Sequence, residues 1–342
     1  MNQEWNDFLL QQGFAADFEH RGHLLDETRA ATIAVPLVDS ALIRASGEDN
    51  AAFLHNLLTN DVTGIPADGV RYAGFCTPKG RLLATFLIWH DGADLWLQTA
   101  ADIQPTMQKK LSMYILRSKA KLHDGAEGEN ARVLIGLAGP QAAGALAALK
   151  LGTPPGVNQV AAIAGGQVLG VAHDRYVLAL DVPAAKTAWP TLKEYAIPAG
   201  LNAWRLRDIA DGLPRVVAAT QEQFIPQMVN FEAVGGVSFK KGCYPGQEIV
   251  ARTQYLGKIK RRMYRATVAA PAVAGQDLYA PETGEQSCGN VVIAAQTADN
   301  AWECLVVLQS SAYDAVNLGS GAVHLGATDG PILSFLNLPY EN

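Results

Sequence analysis

The amino-acid sequence predicts an α+β fold that gives way, near Leu256, to an all-β unit. Two observations predict the first part. Strand-like apolar runs are joined by tight turns, and helical patterns interrupt them without a regular strand–helix–strand alternation. A third observation predicts the second part: after Leu256 only strand patterns remain, separated by turn signals such as Pro281-Glu282-Thr283-Gly284. With 49% apolar and 18% charged residues, the chain can bury a substantial core. Its 342 residues allow one large domain or two to three small ones.

Thr32–Pro36 and Ala41–Ala45 read as short strands. Ser46 then reads as the cap of a helix, with Asp49 as its capping-box acid, and Ala52, Phe53, Asn56 and Leu57 follow at helical spacing. Leu54 and Leu58 widen that apolar stripe, and His55 reads as a surface or packing residue. Val70–Cys76 and Arg81–Trp89 flank Thr77-Pro78-Lys79-Gly80, a hairpin turn. Asp94–Thr99 is a third strand. Pro105–Arg117 fits an amphipathic helix carrying Met107, Leu111, Tyr114 and Ile115, and Lys119–His123 returns as a strand.

Asp124–Asn130 is a loop and a domain boundary. Strand Arg132–Leu137, helix Gln141–Lys150, and strands Gln159–Ala164, Gln167–Ala172 and Arg175–Leu180 follow. Helices are expected over Ala184–Tyr195, kinked or entered near Pro190, and over Leu201–Asp211, stopped by Gly212-Leu213-Pro214. The last strands are Ile259–Val268, Gln276–Tyr279, Gly289–Ala294, Trp302–Leu308 and Ala322–Leu325.

Met1–His23 lacks the basic start and apolar run of a signal peptide. Val133–Leu149 is broken by glycines and Pro140, so it reads as strand, turn and helix rather than a membrane span. These readings make a cytoplasmic protein the expectation. Cys76, Cys243, Cys288 and Cys304 lie far apart without a CxxC pair, so no zinc ribbon or ferredoxin-type site is written here. His20 and His23 form a short pair without a third ligand, and no metal site is expected. The net charge of −6 argues against general nucleic-acid affinity.

One stretch concentrates reactive groups: Ser238–Thr253, with Lys240, Lys241, Cys243, Gln247, Glu248 and Arg252 around Gly242 and Gly246. Pro245 suits the first position of a helix running to Thr253, with Ile249 and Val250 as its apolar side. Cys243 would then lie just before a helix N-terminus, where the dipole and the two lysines favour thiolate. A buried, inert cysteine is the competing reading, but Lys241, Gly242 and Tyr244 are not core-like neighbours. A basic run extends from here through Lys258, Lys260, Arg261, Arg262 and Arg265, with Glu248 as its only carboxylate, and suggests an anion-facing surface.

Lys241-Gly242-Cys243-Tyr244-Pro245-Gly246-Gln247-Glu248 resembles the signature of the YgfZ family, folate-binding proteins that maintain iron–sulfur enzymes. They are structural relatives of the aminomethyltransferase (T-protein) of glycine cleavage. Gly47-Glu48-Asp49 leading to Phe53-Leu54, Leu58-Thr59-Asn60-Asp61-Val62, Thr77-Pro78-Lys79-Gly80-Arg81 and Phe224-Ile225-Pro226-Gln227 extend the resemblance. It implies a three-domain, aminomethyltransferase-like ring around a central channel, with a C-terminal antiparallel β-barrel. The boundaries would be 1–59 plus 125–255, an inserted 60–124, and 256–342. It also implies tetrahydrofolate as ligand and iron–sulfur enzymes, including those that modify tRNA, as clients.

Within that resemblance Cys243 is the functional thiol, set up by Lys241. Trp204 on its own does not displace the reading of a core tryptophan; its match to a folate-contacting tryptophan of the family tips it toward a stacking surface for the pterin. A second folate-contacting tryptophan of the family is replaced by Ser40. Gln247 and Glu248 either meet the pterin or cap their own helix. Arg252 and its basic neighbours would receive the glutamate tail. Aminomethyltransferase-type one-carbon transfer is the enzymatic alternative, but Leu83 and Ala84 fall where the transferase's hairpin acids would be. An RNA-binding module using the basic run is a third reading, without aromatic interleaving to support it.

Overall fold

A computed structural model describes residues 2–16, 18–19, 30–257, 259–298 and 300–340. His20, His23 and Lys258 lie outside the described residues. The chain divides into two units, Met1–Asn56 with Asp61–Tyr72 and Phe86–Trp204, and Leu57–Asn60 with Ala73–Thr85 and Arg205–Asn342.

The first unit begins with α1 (Gln3–Gln11), capped by Asn2, whose side chain accepts from the Trp5 amide at 3.1 Å. Trp5 packs edge-on against Trp189 of a later helix, which closes one end of the core. A six-stranded sheet follows the order β11-β1-β7-β10-β9-β8. Its strands are β1 (Ile33–Pro36), β7 (Val133–Ala138), β8 (Val160–Ile163), β9 (Gly166–Ala172), β10 (Arg175–Leu180) and β11 (Ile197–Pro198). All these pairings are antiparallel except β1 with β11. That pattern fits the layered α+β expectation and not a parallel, doubly wound sheet.

A second sheet has the order β3-β4-β5-β2-β6, from β2 (Ser40–Ser46), β3 (Val70–Cys76), β4 (Leu82–Asp91), β5 (Asp94–Ala100) and β6 (Lys121–Asp124). β3 and β4 contribute residues to both units. Trp89 of β4 donates its indole N–H to Gln167 on β9 at 2.8 Å, and Gln167 donates to the His90 carbonyl at 2.8 Å. This polar link fixes one sheet on the other inside an otherwise apolar core. Helix α2 (Asn50–His55) follows β2. The remaining helices of this unit are α3 (Gln104–Ser112), α4 (Ala142–Ala148) and α5 (Val182–Tyr195), the last capped by Asp181 onto the Ala184 amide at 2.7 Å. α6 (Leu201–Ala210) starts here and runs into the second unit.

The second unit contains a curled, half-closed barrel of antiparallel strands in the order β16-β13-β14-β15-β12-β17. These are β12 (Arg261–Val268), β13 (Asp277–Tyr279), β14 (Ser287–Ala298), β15 (Ala301–Gln309), β16 (His324–Leu325) and β17 (Leu333–Leu336). An isolated bridge between His324 and Ile332 ties the two edge regions. Glu303 on β15 is buried and held by Arg265 on β12. α7 (Gln247–Tyr255) carries the signature and α8 (Ser310–Asn317) follows β15.

Four sequence expectations are corrected. Ser46 ends β2, and its hydroxyl pairs with His123 Nε2 at 2.9 Å instead of capping a helix. Asp49 is itself the helix N-cap residue, yet its carboxylate accepts from the Lys119 amide at 2.7 Å. The helix expected to Arg117 stops at Ser112, because turn hydrogen bonds take over through Ser118 and Leu116 adopts φ 44°. Pro245 precedes the helix, whose N-cap is Gly246 at φ 83°. α1, α8, β11 and β17 had no counterpart in the sequence reading.

Candidate functional site

The signature segment lies in the second unit, pinned from two sides. From one side come Leu58-Thr59-Asn60. Thr59 Oγ donates to the Gly236 carbonyl at 2.6 Å and accepts from the Gly74 amide at 2.7 Å. Asn60 Nδ2 donates to the Gly235 carbonyl at 2.6 Å, and Ser238 N to the Thr59 carbonyl at 3.0 Å. Lys241 Nζ donates to the Leu58 carbonyl at 2.6 Å and sits 5.0 Å from the Tyr244 ring centre.

From the other side comes the hairpin turn 77–80. A Cβ on Gly246 would lie 2.4 Å from the Thr77 carbonyl oxygen and 2.7 Å from Gly80 Cα. Gly80, at φ 71°, packs against Ile249 in return. Two glycines thus let the hairpin and the signature turn touch backbone to backbone. Phe224-Ile225-Pro226-Gln227 completes the frame. The Phe224 carbonyl accepts from Leu82 N at 2.7 Å, Arg81 donates to the Gln223 carbonyl, and buried Gln227 donates to the Val250 carbonyl at 2.7 Å. Four of the five sequence patches carrying the resemblance therefore supply one contact network; the fifth, Gly47-Glu48-Asp49 leading to Phe53-Leu54, lies in the first unit.

In this frame Cys243 is exposed, whereas Cys76, Cys288 and Cys304 are buried. Burial pushes the thiols of Cys76 and Cys304 up to about 12 and that of Cys288 to about 11. Tyr244 next to Cys243 is buried, and loss of solvent, with the nearby Cys76 second, raises its phenol. One residue of the pair anchors the turn and the other faces out. Nothing lies within 4 Å of a Cβ built on Gly242, so the backbone beside the thiol is open.

Gln247 is half-buried, and Glu248 and Arg252 are exposed, all on α7. The N-cap Gly246 receives no side-chain bond at this helix start, although Glu248 lies in its first turn. The basic run is only partly a surface feature. Arg262 pairs with Glu232 and Arg265 with buried Glu303, so both are neutralised within the fold. Lys240, Arg252 and Lys260 are exposed.

Trp204 belongs to the first unit. Its indole is 5% exposed in the core, and the Arg175 guanidinium sits 4.1 Å from the ring centre. Gly136 of β7 makes room for the ring: a Cβ there would lie 2.5 Å from it. Ser40 accepts from Gln98 Nε2 at 3.2 Å and lines a cavity of about 140 Å³ with Trp5, Leu42 and Arg132. Sequence reasoning missed the clamp by Thr59 and Asn60 and the anchoring by Tyr244. The Gly80–Gly246 contact also had no signal beyond the two glycines themselves. Among the described residues, no group of three His, Cys, Asp or Glu could hold a metal ion, and no helix is long and apolar enough to cross a membrane.

The fold is similar to that of a glycine-cleavage aminomethyltransferase. Aminomethyltransferase T from Bartonella henselae superposes with a TM-score of 0.71, covering 92% of this chain and 88% of that one, at 17% identity. No protein-family model matches the chain. Relatives named tRNA-modifying protein YgfZ match over most of its length. The Vibrio vulnificus protein is 35% identical over 246 residues, 69% of this chain and 71% of its own. That of Escherichia coli is 32% identical over 283 residues, 81% of this chain and 85% of its own, and that of Serratia proteamaculans 30% over 282, 81% and 84%. The chain belongs to the YgfZ family.

Proposed function

We propose that this chain is a tetrahydrofolate-binding accessory factor that supports iron–sulfur clusters in other enzymes, among them enzymes that modify tRNA. The family membership supports the tRNA-modification side, since the relatives carry that name. The observation that carries the thiol side is the contrast among the cysteines: Cys243 alone is exposed, on a turn fixed by Lys241, Tyr244 and the two glycines. A reactive sulfur needs exposure and a fixed geometry, and the buried three lack the exposure. Cys243 acts as the working thiol, and Lys241 holds the loop that presents it.

The residues on α7 fit a reduced folate by chemistry. Gln247 offers an amide and Glu248 a carboxylate to the pterin's donors and acceptors, and Arg252 offers a guanidinium to the glutamate tail. Trp204 can offer an indole face only if the Arg175 guanidinium moves off it. Where the family resemblance expects a second tryptophan, Ser40 leaves a hydroxyl and a cavity. Folate when bound would supply its reduced pteridine as a ligand surface or one-carbon acceptor. This reading includes three domains, 1–59 plus 125–255, 60–124 and 256–342, in a ring around a channel.

One-carbon transfer of the aminomethyltransferase type has the fold in its favour and the hairpin against it. Leu83 and Ala84, in the transferase's acid positions, are buried apolar residues on β4. The test is complementation of a strain lacking this gene, scored by thiolation of its tRNA. Cys243→Ala is expected to be folded and inactive, and full activity would remove the thiol from the proposal. Titration with tetrahydrofolate tests the other half: saturable quenching of tryptophan emission is expected, weakened in Trp204→Phe.

A further inference from the structure

We infer that residues 109–121 of the first unit form a docking knob for a partner protein whose surface is acidic around an apolar groove. The sequence between Asp102 and Asp124 holds no carboxylate and five lysines and arginines, of which Lys119 pairs with Glu48 and the other four remain as the cationic rim, in a chain whose net charge is −6. The structure ends α3 early and turns the chain outward. Met113 is 63% exposed, Tyr114 40% and Leu116 90%, three large apolar side chains within four residues. Leu116 holds φ 44°, a left-handed conformation that a bulky residue seldom takes, and it presents the leucine instead of folding it under. Exposed Lys109 lies before this apolar tip and exposed Arg117 after it.

Monomeric proteins seldom leave such a cluster in water without a use. Met, an aromatic and Arg are the residue types that interfaces concentrate. The charge decides the partner: a cationic rim selects an anionic surface and repels a basic one. RNA is the other anionic candidate, but base stacking requires flat rings, and the tip offers one aromatic among two aliphatic chains. An acid-rimmed protein groove matches both the aliphatic tip and the charge. The inference is independent of the thiol and folate reading, which concerns other residues.

The test places a photo-crosslinking p-benzoyl-phenylalanine at Leu116, and separately at exposed Leu318 of the second unit, in the full chain expressed in its native host. A dominant adduct at position 116 only is expected, destroyed by protease and not by nuclease, with a cross-linked peptide rich in Asp and Glu. Lys109→Glu with Lys110→Glu should lower its yield about tenfold, because opposite charge steers association. If that variant melts early, raising the salt from about 0.05 to about 0.5 M on the original must lower the yield instead. Equal adducts at both positions, a nuclease-sensitive adduct, an adduct with a second copy of this chain alone, or a yield indifferent to charge would each overturn the inference.

Discussion

Replacing Gly246 by Ala tests whether the signature turn is held by backbone contact with the hairpin. The new Cβ would stand 2.4 Å from the Thr77 carbonyl oxygen and 2.7 Å from Gly80 Cα and N, none of which can rotate away. The residue also keeps φ 83°, which costs an L residue about 1–2 kcal/mol. Overpacking adds about 1–3 kcal/mol, so the sum is about 2–5 kcal/mol. For a unit of this size that lowers the melting temperature by about 5–15 °C. Gly80→Ala is milder. Its φ of 71° carries the same conformational cost, but the new Cβ meets Ile249 at 3.1 Å and the Gly246 carbonyl at 3.3 Å, where a small shift suffices. Gly242→Ala meets nothing within 4 Å and should change stability by less than about 0.5 kcal/mol. Scanning calorimetry of the three variants should therefore give the order Gly246, Gly80, Gly242. Equal melting of Gly246→Ala and Gly242→Ala would refute the backbone-contact account.

Other predictions concern the thiols and one ion pair. Iodoacetamide at neutral pH should label one thiol per native chain, at Cys243, and all four only after unfolding; mass spectrometry of the labelled peptides checks this. The buried thiols of Cys76, Cys288 and Cys304 have pKa values raised above the ordinary 9 by burial, so they stay protonated in the fold after the unfolded chain has ionised. Their contribution to stability is intact below pH 9 and is lost progressively between about 9 and 12. Melting temperatures should thus fall from pH 8 to pH 10.5, and less steeply in Cys76→Ala with Cys304→Ala; equal slopes count against the assignment. Arg265→Met removes the guanidinium that neutralises the buried Glu303 carboxylate and should cost about 3–5 kcal/mol, most of it regained when Glu303→Leu is added. A denaturant series on the single and double variants measures that recovery.

Much of the fold is legible in the sequence because strand periodicity and turn residues are local signals. Val70–Cys76 and Arg175–Leu180 have the predicted bounds, and most other strands shift by one to three residues. Some failures come from competition by distant partners and others from local turn geometry. Ser46 looks like a cap until His123, from another strand, takes its hydroxyl. Tyr114 and Ile115 continue a helical stripe by spacing, yet short-range turn hydrogen bonds take the chain out of the helix after Ser112. β17 has no alternating pattern strong enough to announce it; β12 supplies the pairing that makes it a strand. At the candidate site the residue types were visible and their purposes were not. Lys241, expected to polarise the thiol, is engaged by the Leu58 carbonyl, 183 positions away in the chain. Arg262 and Arg265, counted as surface charge, meet their carboxylates only after folding.

The second unit is assembled from three separated stretches of chain, and this has a consequence for biosynthesis. Residues 57–60 and 73–85 leave the ribosome well before residues 205–342, with which they share a unit. Leu82, whose backbone ends bonded to Phe224 and Glu222, must wait for those partners while more than a hundred further residues are translated. Nascent chains stalled within that interval should carry the hairpin without these late partners and engage chaperones, and the engagement should cease once the signature segment has emerged.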